Sequence, residues 1–505
     1  MMTLAGQLRL LGSEQMQIVH EKALELLTKK GIVFEDDVCR EILKRGGARV
    51  EGSTVFISEK LVEKCLATTP KRFVLEAPNP ARSTAVGEGL LIHPAGGEIF
   101  ILDYNGQRRS PTMADFANLQ KLYQACDNVD IAGYQPISPL DVSERTKGLR
   151  CTLESLRASD KPILSPMELE TVEKKLEVLR LLDLAFGGNG AGIDTKSPET
   201  GSAGMVGAGM GEDKGPFSSS YLAEHYVTWH IVCPNSPFFY SQFACDGIRV
   251  FAQYNQPVCI VSAPMSGITA PVFLLSTLVL TLAEELAGLV LAQLIRPGVP
   301  VVLSSSLTYG YMRTATWECA SPDSALMLAA STQMIREFYG LPARAQTGVT
   351  SSKLIDYQAG IETMQSFLYC ALAGTNLTSQ TVGSLANLLT ISLEKTVLDD
   401  EVVGRVRHML AGLPFNEVQL GMDDLFAAAP ASSFLEADST IEHFRDFWTP
   451  SVSDWRDIDS WEADGSPDVQ VAAHKRVQEI LEAAPQTLLD PVLDVELERY
   501  VLSLE

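Results

Sequence analysis

The chain has 505 residues, of which 46% are hydrophobic and 20% are charged. That composition describes a globular protein with enough chain for one large domain or for two to four smaller ones. The net charge of −23 argues against a nucleic-acid-binding role, because counterion release requires clustered Lys and Arg and the sequence has no basic run. A solvated acidic surface explains the charge, and a basic partner protein is the alternative.

The sequence predicts a cytoplasmic protein without a signal peptide or a membrane span. The N-terminal residues MMTLAGQLRLLGSEQ lack both a long apolar core and a small-residue cleavage pattern. The most apolar segment, residues 268–295, is interrupted by Glu284 and Glu285. Neither half reaches the roughly 20 apolar residues that a span needs, so it predicts a buried helix. Nine scattered cysteines are typical of reduced thiols.

The first predicted element is a helix that Ser13 caps and Gly31 ends. Its apolar residues recur at helical spacing, and Lys29 and Lys30 stand in its last turn, where positive charge is favourable. Short helices and short strands alternate from there to about residue 90. We interpret residues 1–110 as an N-terminal elaboration of the main domain.

From about residue 115 the pattern changes to helical stretches that alternate with short apolar runs. These runs are VDIAGYQPI, KPILSP, NSPFFYSQF, QPVCIVSAP, VPVVLSSS and PARAQTGVT. Uncharged runs of this kind are typical of parallel strands that are buried on both faces. The repetition predicts an α/β fold, a (β/α)8 barrel over residues 111–410, with its active face at the carboxyl ends of the strands.

Two segments depart from the barrel pattern. Residues 186–220 are rich in glycine without a strict period, which predicts a flexible insertion, followed by a helix near Tyr221. A loop of this length is usually a lid, a docking element or disordered, and a nucleotide-binding interpretation of GAGMGE is weak because no strand precedes it. Residues 411–505 form an acidic and aromatic segment with a helix near Asp468, expected to pack on the outside of the barrel.

The sequence contains no local catalytic or metal-binding motif, and we predict neither catalytic side chains nor a metal site. A zinc site without a local signature stays open. Aromatic and polar residues instead cluster at predicted strand ends, where they suit a cage for a quaternary ammonium group with Arg or Lys nearby for a carboxylate. The alternative is that many of these aromatics belong to the core. The cluster contains Phe239, Tyr240, Tyr309, Tyr311, Arg313, Lys353, Asp356, Tyr357 and Gln358.

Four ordered blocks carry a resemblance to a known family. They are IVHEKALELLTKKGI, SAPMSGITAPVFLLSTLVLTLAEELAGLVLAQLIRPGVPVV, SKLIDYQAGIE and HFRDFWTPSVSDW. Along nearly its whole length the chain resembles the trimethylamine methyltransferase superfamily. The resemblance implies a barrel enzyme that moves a methyl group from an amine nitrogen to the cobalt of a corrinoid held by a separate small protein.

The resemblance also implies a substrate class. Archaeal trimethylamine enzymes carry pyrrolysine at the position of Val349, and members without it resemble the quaternary-amine branch, which acts on betaines such as glycine betaine. A quaternary ammonium is already a leaving group, so the protein need only orient the N–CH3 bond and exclude water. Where the family often has Asp, this chain has Tyr311 before Met312-Arg313, and the insertion is longer than the family pattern.

The combined hypothesis is a cytoplasmic, homo-oligomeric betaine-type methyltransferase with a corrinoid protein as its partner. Its rivals are a methyltransferase for a tertiary amine or a sulfonium, and a betaine-binding barrel without turnover. Arg313 is assigned to the substrate carboxylate, and Lys353 either to a second carboxylate contact or to an ion pair with Asp356. The predicted substrate-binding residues are Phe239, Tyr240, Tyr309, Tyr311, Arg313, Val349, Lys353, Asp356, Tyr357 and Gln358.

Overall fold

The structure, a computed structural model, describes residues 5–187 and 220–505. Its strands are β1 Ile32–Phe34, β2 Arg49–Glu51, β3 Thr54–Phe56, β4 Phe73–Leu75, β5 Thr84–Val86, β6 Leu91–Ile92, β7 Phe100–Leu102, β8 Arg108–Arg109, β9 Ala132–Gly133, β10 Ile163–Leu164, β11 His230–Val232, β12 Phe239–Tyr240, β13 Val258–Ser262, β14 Met265–Ser266, β15 Val301–Ser305, β16 Thr308–Tyr311, β17 Thr316–Glu318, β18 Ala343–Gln346, β19 Leu377–Ser379, β20 Ser384–Leu385 and β21 Thr390–Ser392.

Helices account for most of the remaining regular structure. They are α1 Ser13–Glu25, α2 Asp37–Arg45, α3 Glu59–Thr68, α4 Met113–Ala125, α5 Lys147–Ala158, α6 Val172–Gly187, α7 Gln242–Gln253, α8 Leu274–Ile295, α9 Pro322–Gln333, α10 Tyr357–Ala373, α11 Leu393–Ala411, α12 Glu417–Leu420, α13 Met422–Ala427, α14 Asp438–His443, α15 Ile458–Ala463, α16 Val469–Ala483 and α17 Pro491–Leu502.

Within the described ranges, eight parallel strands close into a barrel in the order β6, β9, β10, β11, β13, β15, β18, β19. Backbone hydrogen bonds join the separate sheets: Ile131 N donates to Ile92 O at 3.2 Å, and Ser165 N donates to Trp229 O at 3.3 Å. Each barrel strand is followed by one of the helices α4 to α11. The prediction of a (β/α)8 barrel is confirmed.

The barrel interior is apolar at the amino ends of its strands. Trp229, Cys259 and Val302 belong to one buried cluster, which also includes Phe73 and Leu75 of the hairpin β4–β5. That hairpin therefore closes the bottom of the barrel. The carboxyl ends of the strands remain as the end where a site can open.

Helix α8 contains the apolar segment that the sequence presented as membrane-like. The helix is long and apolar enough to cross a membrane, but most of its length is buried inside the protein. It lies against β13, β15 and the N-terminal helices α1 and α3. It is a core helix of the barrel, as the sequence predicted.

Phe239 and Tyr240 do not lie in a barrel strand, so the assignment of NSPFFYSQF to the barrel was wrong. They form β12, which pairs in parallel with β1 in the N-terminal sheet. The barrel strand at this point is the short run His230–Val232. From the sequence, the longer aromatic run NSPFFYSQF was chosen and this strand was overlooked. Three consecutive buried apolar or neutral residues are nevertheless enough for a parallel strand.

Three further boundaries differ from the sequence-based ones. The first barrel strand, Leu91–Ile92, lies inside the segment 1–110 that was assigned to an elaboration. A short 3-10 turn, Tyr221–Ala223, stands where a helix was predicted. Gly12, not Ser13, occupies the N-cap of α1. The glycine-rich segment predicted over 186–220 lies outside the described residues from 188 to 219.

The C-terminal segment divides into two parts. Helix α16 packs on α4 and α11 through Ala473, Val477 and Ile480, and α17 packs on α5 and α6. Helices α12 to α15 contain no buried residue. Most side chains of residues 411–465 are therefore uncovered, while the backbone amides of residues 451–453 donate to Glu401 of α11 and hold that part of the segment on the barrel.

Candidate active site

The carboxyl end of the barrel is open around β11, β13 and β15. Cys233 and Ala263 directly follow two of these strands, yet both are exposed, and Ser306 after the third is half-buried. Burial nevertheless raises the pKa of the Cys233 thiol to about 11. The Cys233 thiol is thus accessible to solvent and yet surrounded by protein. It therefore faces a recess in the barrel mouth and not the outer surface.

Arg344 lies inside the barrel, one layer below this recess. Strand alternation places Val302 in the interior core, so Ser304, two residues later, also faces inward. Arg344 pairs with Ser304 in register, and its Nη1 donates to Ser304 Oγ at 2.8 Å. Only 4% of Arg344 is exposed, and its Nε has no hydrogen-bond partner. In the described part of the chain, Arg344 takes part in no ion pair.

His93 and Tyr134 lie next to this arginine. The two rings pack edge to face with their centroids 4.6 Å apart. His93 is completely buried, and burial together with the charge of Arg344 holds its pKa well below the usual range. Tyr134 Oη donates to Met167 Sδ. The rings pack so closely here that a Cβ at Gly96 would lie 1.7 Å from Tyr134.

Glu98 is a second buried titratable group near the mouth. It follows β6, and its side chain is completely buried. Burial raises its pKa to about 8, opposed by Ser384 and by the charge of Lys395. Burial therefore favours the protonated form of this side chain.

Two consecutive glutamates of α8 hold strand ends in place. Glu284 accepts hydrogen bonds from Ser236 Oγ at 2.7 Å, from Phe238 N at 2.9 Å and from Ser262 Oγ at 2.6 Å. Glu285 accepts one from Ser305 Oγ at 3.0 Å. These contacts fix the loop after β11 and the ends of β13 and β15.

The hairpin β16–β17 carries three of the predicted site residues beyond the end of β15. Tyr309 is half-buried and pairs across the hairpin with Glu318. Burial and the charge of Glu318 raise the pKa of Tyr309. Tyr311 and Arg313 are exposed. The hairpin therefore brings Tyr309 to the active end of the barrel, and Arg313 in its turn is exposed.

Tyr240 is placed in the core and not in the mouth. Its ring stacks on Phe34 at 4.8 Å, and its hydroxyl donates to Glu284 O at 2.9 Å. Phe239, next to it, is half-buried beside β1. The structure therefore separates these two aromatics from the hairpin residues.

The polar stretch 353–358 forms the start of α10. Asp356 caps the helix by accepting from Ala359 N at 2.9 Å. Gln358 donates to Ser351 Oγ and to Glu362. Tyr357 is 85% exposed, and Lys353 is exposed as well. The ion pairs of the described residues do not include one between Lys353 and Asp356.

Val349 is buried beside the same helix. It belongs to a small apolar cluster with Cys319 and Ala320. Its side chain therefore packs against the segment that follows β17 and offers no reactive group. No three His, Cys, Asp or Glu side chains of residues 5–187 and 220–505 lie close enough together to hold a metal ion.

Sequence reasoning missed Arg344, His93 and Glu98. Arg344 stands between two alanines in the run PARAQ, and a lone charge in an otherwise neutral parallel strand was the one available signal for it. The strand before His93 is only two residues long, and therefore too short to give a periodic pattern. A carboxyl whose pKa is raised by burial, such as that of Glu98, leaves no signature in the sequence.

These features define a (β/α)8-barrel protein whose polar and partly open end lies at the carboxyl ends of the strands, where barrel enzymes bind their substrates. The family model described as trimethylamine methyltransferase (MTTB) matches residues 2–208 and 210–503. The chain therefore belongs to the trimethylamine methyltransferase family, and it is a methyltransferase.

Individual relatives span nearly the whole chain. A glycine betaine methyltransferase of Desulfitobacterium hafniense is 31% identical, covering 97% of this chain and 96% of its own length. A trimethylamine methyltransferase of Methanosarcina mazei is 29% identical, covering 94% and 91%. The crystal structure of a monomethylamine methyltransferase of Methanosarcina barkeri aligns with a TM-score of 0.51 at 12% identity, covering 95% of this chain and 89% of that one. This last similarity supports the fold.

Proposed function

We propose that the protein transfers an N-methyl group from a betaine-type quaternary amine, such as glycine betaine, to a corrinoid carried by a separate protein. The observation that carries this proposal is Val349, which is buried among apolar side chains at the position where the resemblance places pyrrolysine. A tertiary amine needs activation before a methyl group can leave. A valine supplies none, whereas a quaternary ammonium needs none.

The bond changes need no proton transfer from the protein. The N–CH3 bond of the quaternary amine breaks, its electron pair stays on nitrogen, and a neutral tertiary amine leaves. The bound corrinoid would supply the nucleophile that accepts the methyl group. The protein contributes orientation and the exclusion of water.

The open mouth fits a partner that brings its cofactor to the strand ends. Cys233 and Ala263 remain exposed within the recess, so a second protein could reach it. The half-buried Tyr309 is the aromatic candidate best placed to contact the ammonium group, since an aromatic face attracts cations within about 6 Å. Tyr311 would line the approach, while Lys353, Tyr357 and Gln358 would face the docked protein.

We propose that the protein acts as a homo-oligomer held by residues 411–465. This segment exposes Leu413, Phe415, Phe426, Leu435 and Phe447, each more than three-quarters uncovered. A permanently apolar face suits a second copy of this chain better than a corrinoid protein that must come and go.

A cytoplasmic location accords with the nine cysteines, all of which are free thiols. The proposed reaction is tested by incubating the protein with glycine betaine and a reduced corrinoid protein and measuring dimethylglycine. The expected result is dimethylglycine formed in proportion to methylated corrinoid. Tight binding of glycine betaine without any dimethylglycine would instead indicate a binding protein without turnover.

A further inference from the structure

Arg344 presents a buried positive charge without a partner. Its guanidinium donates one hydrogen bond, to the neutral hydroxyl of Ser304, and its Nε has none. A guanidinium stays protonated in proteins. An uncompensated buried charge is strongly destabilising, and strongly perturbed charged groups cluster at functional sites.

The titratable groups around this arginine supply no counter-charge. Burial keeps the phenol of Tyr134 and the thiols of Cys233 and Cys259 protonated, because it raises the pKa of each. His93 is neutral since burial lowers its pKa. Glu98, the buried carboxyl in the adjoining loop, holds its proton up to a pKa of about 8. These neighbours therefore leave the charge of Arg344 uncompensated.

We propose that Arg344 binds the carboxylate of a zwitterionic quaternary amine below the barrel mouth. The assignment rests on the proposed function and adds to it the residue that selects the substrate class. An arginine fork matches a carboxylate in two parallel hydrogen bonds. The sequence had assigned this role to Arg313, whose side chain lies exposed on the hairpin β16–β17.

The direction of the bound substrate follows from the position of the charge. Arg344 attracts the carboxylate and repels the ammonium group, so the substrate lies with its carboxylate inward. Its N-methyl groups then point toward the recess lined by Cys233 and Ala263, the side from which a partner protein would approach. A quaternary amine without a carboxylate is repelled at this site, so Arg344 excludes it as well as selecting betaines.

The test compares binding of glycine betaine and choline by calorimetry, without any corrinoid protein. Both ligands carry the same trimethylammonium group, and only glycine betaine has a carboxylate. Arg344→Met should weaken glycine betaine binding roughly ten- to a hundredfold and leave choline binding unchanged or stronger. Arg344→Lys keeps the positive charge but loses the paired hydrogen bonds of the guanidinium. Its affinity for glycine betaine should lie between those of the original protein and Arg344→Met. Arg296→Met, at an exposed position after α8 on the opposite end of the barrel, is the matched control and should change neither.

The thermal stability of Arg344→Met shows whether Arg344 binds the ligand or supports the fold. Because the variant removes an unpaired buried charge, the thermal midpoint of ligand-free Arg344→Met should equal or exceed that of the original protein. The proposal would be overturned if Arg344→Met weakened the binding of glycine betaine and of choline equally. It would also be overturned if Arg313→Met, and not Arg344→Met, selectively weakened glycine betaine binding. The methyl-transfer reaction is a separate readout: selective loss of glycine betaine binding in a protein that forms no dimethylglycine would support Arg344 and refute the transferase assignment.

Discussion

The carboxylate of Glu284 in the core helix α8 accepts a hydrogen bond from the hydroxyl of Ser262 at 2.6 Å, at the last residue of barrel strand β13. The same carboxylate also accepts from Ser236 and from the amide of Phe238 in the loop after β11. One buried side chain thereby fixes two neighbouring segments of the barrel mouth. A glutamate pair that looks like an interruption of an apolar helix is part of the framework of the site.

We expect Glu284→Ala to lower the free energy of unfolding by about 3 kcal/mol or more, because it leaves three donors without an acceptor at about 1–3 kcal/mol each. Urea unfolding measures the change. Glu25→Ala is the control. Glu25 forms ion pairs with Lys22 and Lys29 on the surface, where solvent screening leaves such pairs with little effect on stability. Similar losses in the two variants would contradict the role given to Glu284.

The buried carboxyl of Glu98 predicts a specific pH dependence. Its pKa in the folded protein is about 8, against an ordinary value of 4.5. Between these values the folded state holds a proton that the unfolded state has released, so this group lowers stability as pH rises from about 4.5 to 8.

Glu98→Gln removes that titration. Its stability advantage over the original protein should therefore grow with pH, by at most about 1.4 kcal/mol per pH unit. Urea unfolding at pH 5, 6.5 and 8 measures the difference. Parallel stability curves for the two proteins would show that Glu98 does not titrate in this range.

Two tyrosines that look alike in sequence should behave differently. Tyr240→Phe removes a buried hydrogen bond to Glu284 O and should cost about 0.5–1.5 kcal/mol of stability, without changing betaine affinity. Tyr309→Ala removes an aromatic face at the mouth and should weaken betaine binding roughly two- to thirtyfold. Calorimetry and urea unfolding on both variants test the pair. A loss of affinity in Tyr240→Phe would place that ring in the site after all.

The sequence predicted the barrel because parallel strands and amphipathic helices leave repeating patterns. It did not predict which aromatic residues meet, because that depends on pairing between distant segments. Tyr240 is directed into the core by the pairing of β12 with β1, which no local pattern indicates. Asp356 and Gln358 look like site residues in sequence, yet they cap and brace α10. Arg344 was overlooked because one charge in a short strand does not alter a neutral pattern.

The exposed C-terminal segment predicts self-association. Replacing Leu413, Phe415 and Phe426 by serine should convert the oligomer to monomers, measured by sedimentation equilibrium. The thermal midpoint of the separated monomer should not depend on these residues, since none is buried within one copy. Leu140→Ser, also at an exposed apolar position, is the control and should leave the mass unchanged. A monomeric original protein would refute the proposed role of this segment.

The comparison of glycine betaine with trimethylamine tests the central claim most directly. Each is incubated with the protein and a reduced corrinoid protein while the loss of the Co(I) absorbance is followed. Because Val349 offers no reactive group, the account predicts rapid loss with glycine betaine and none above background with trimethylamine. Loss with trimethylamine at a rate comparable to that with glycine betaine would contradict it.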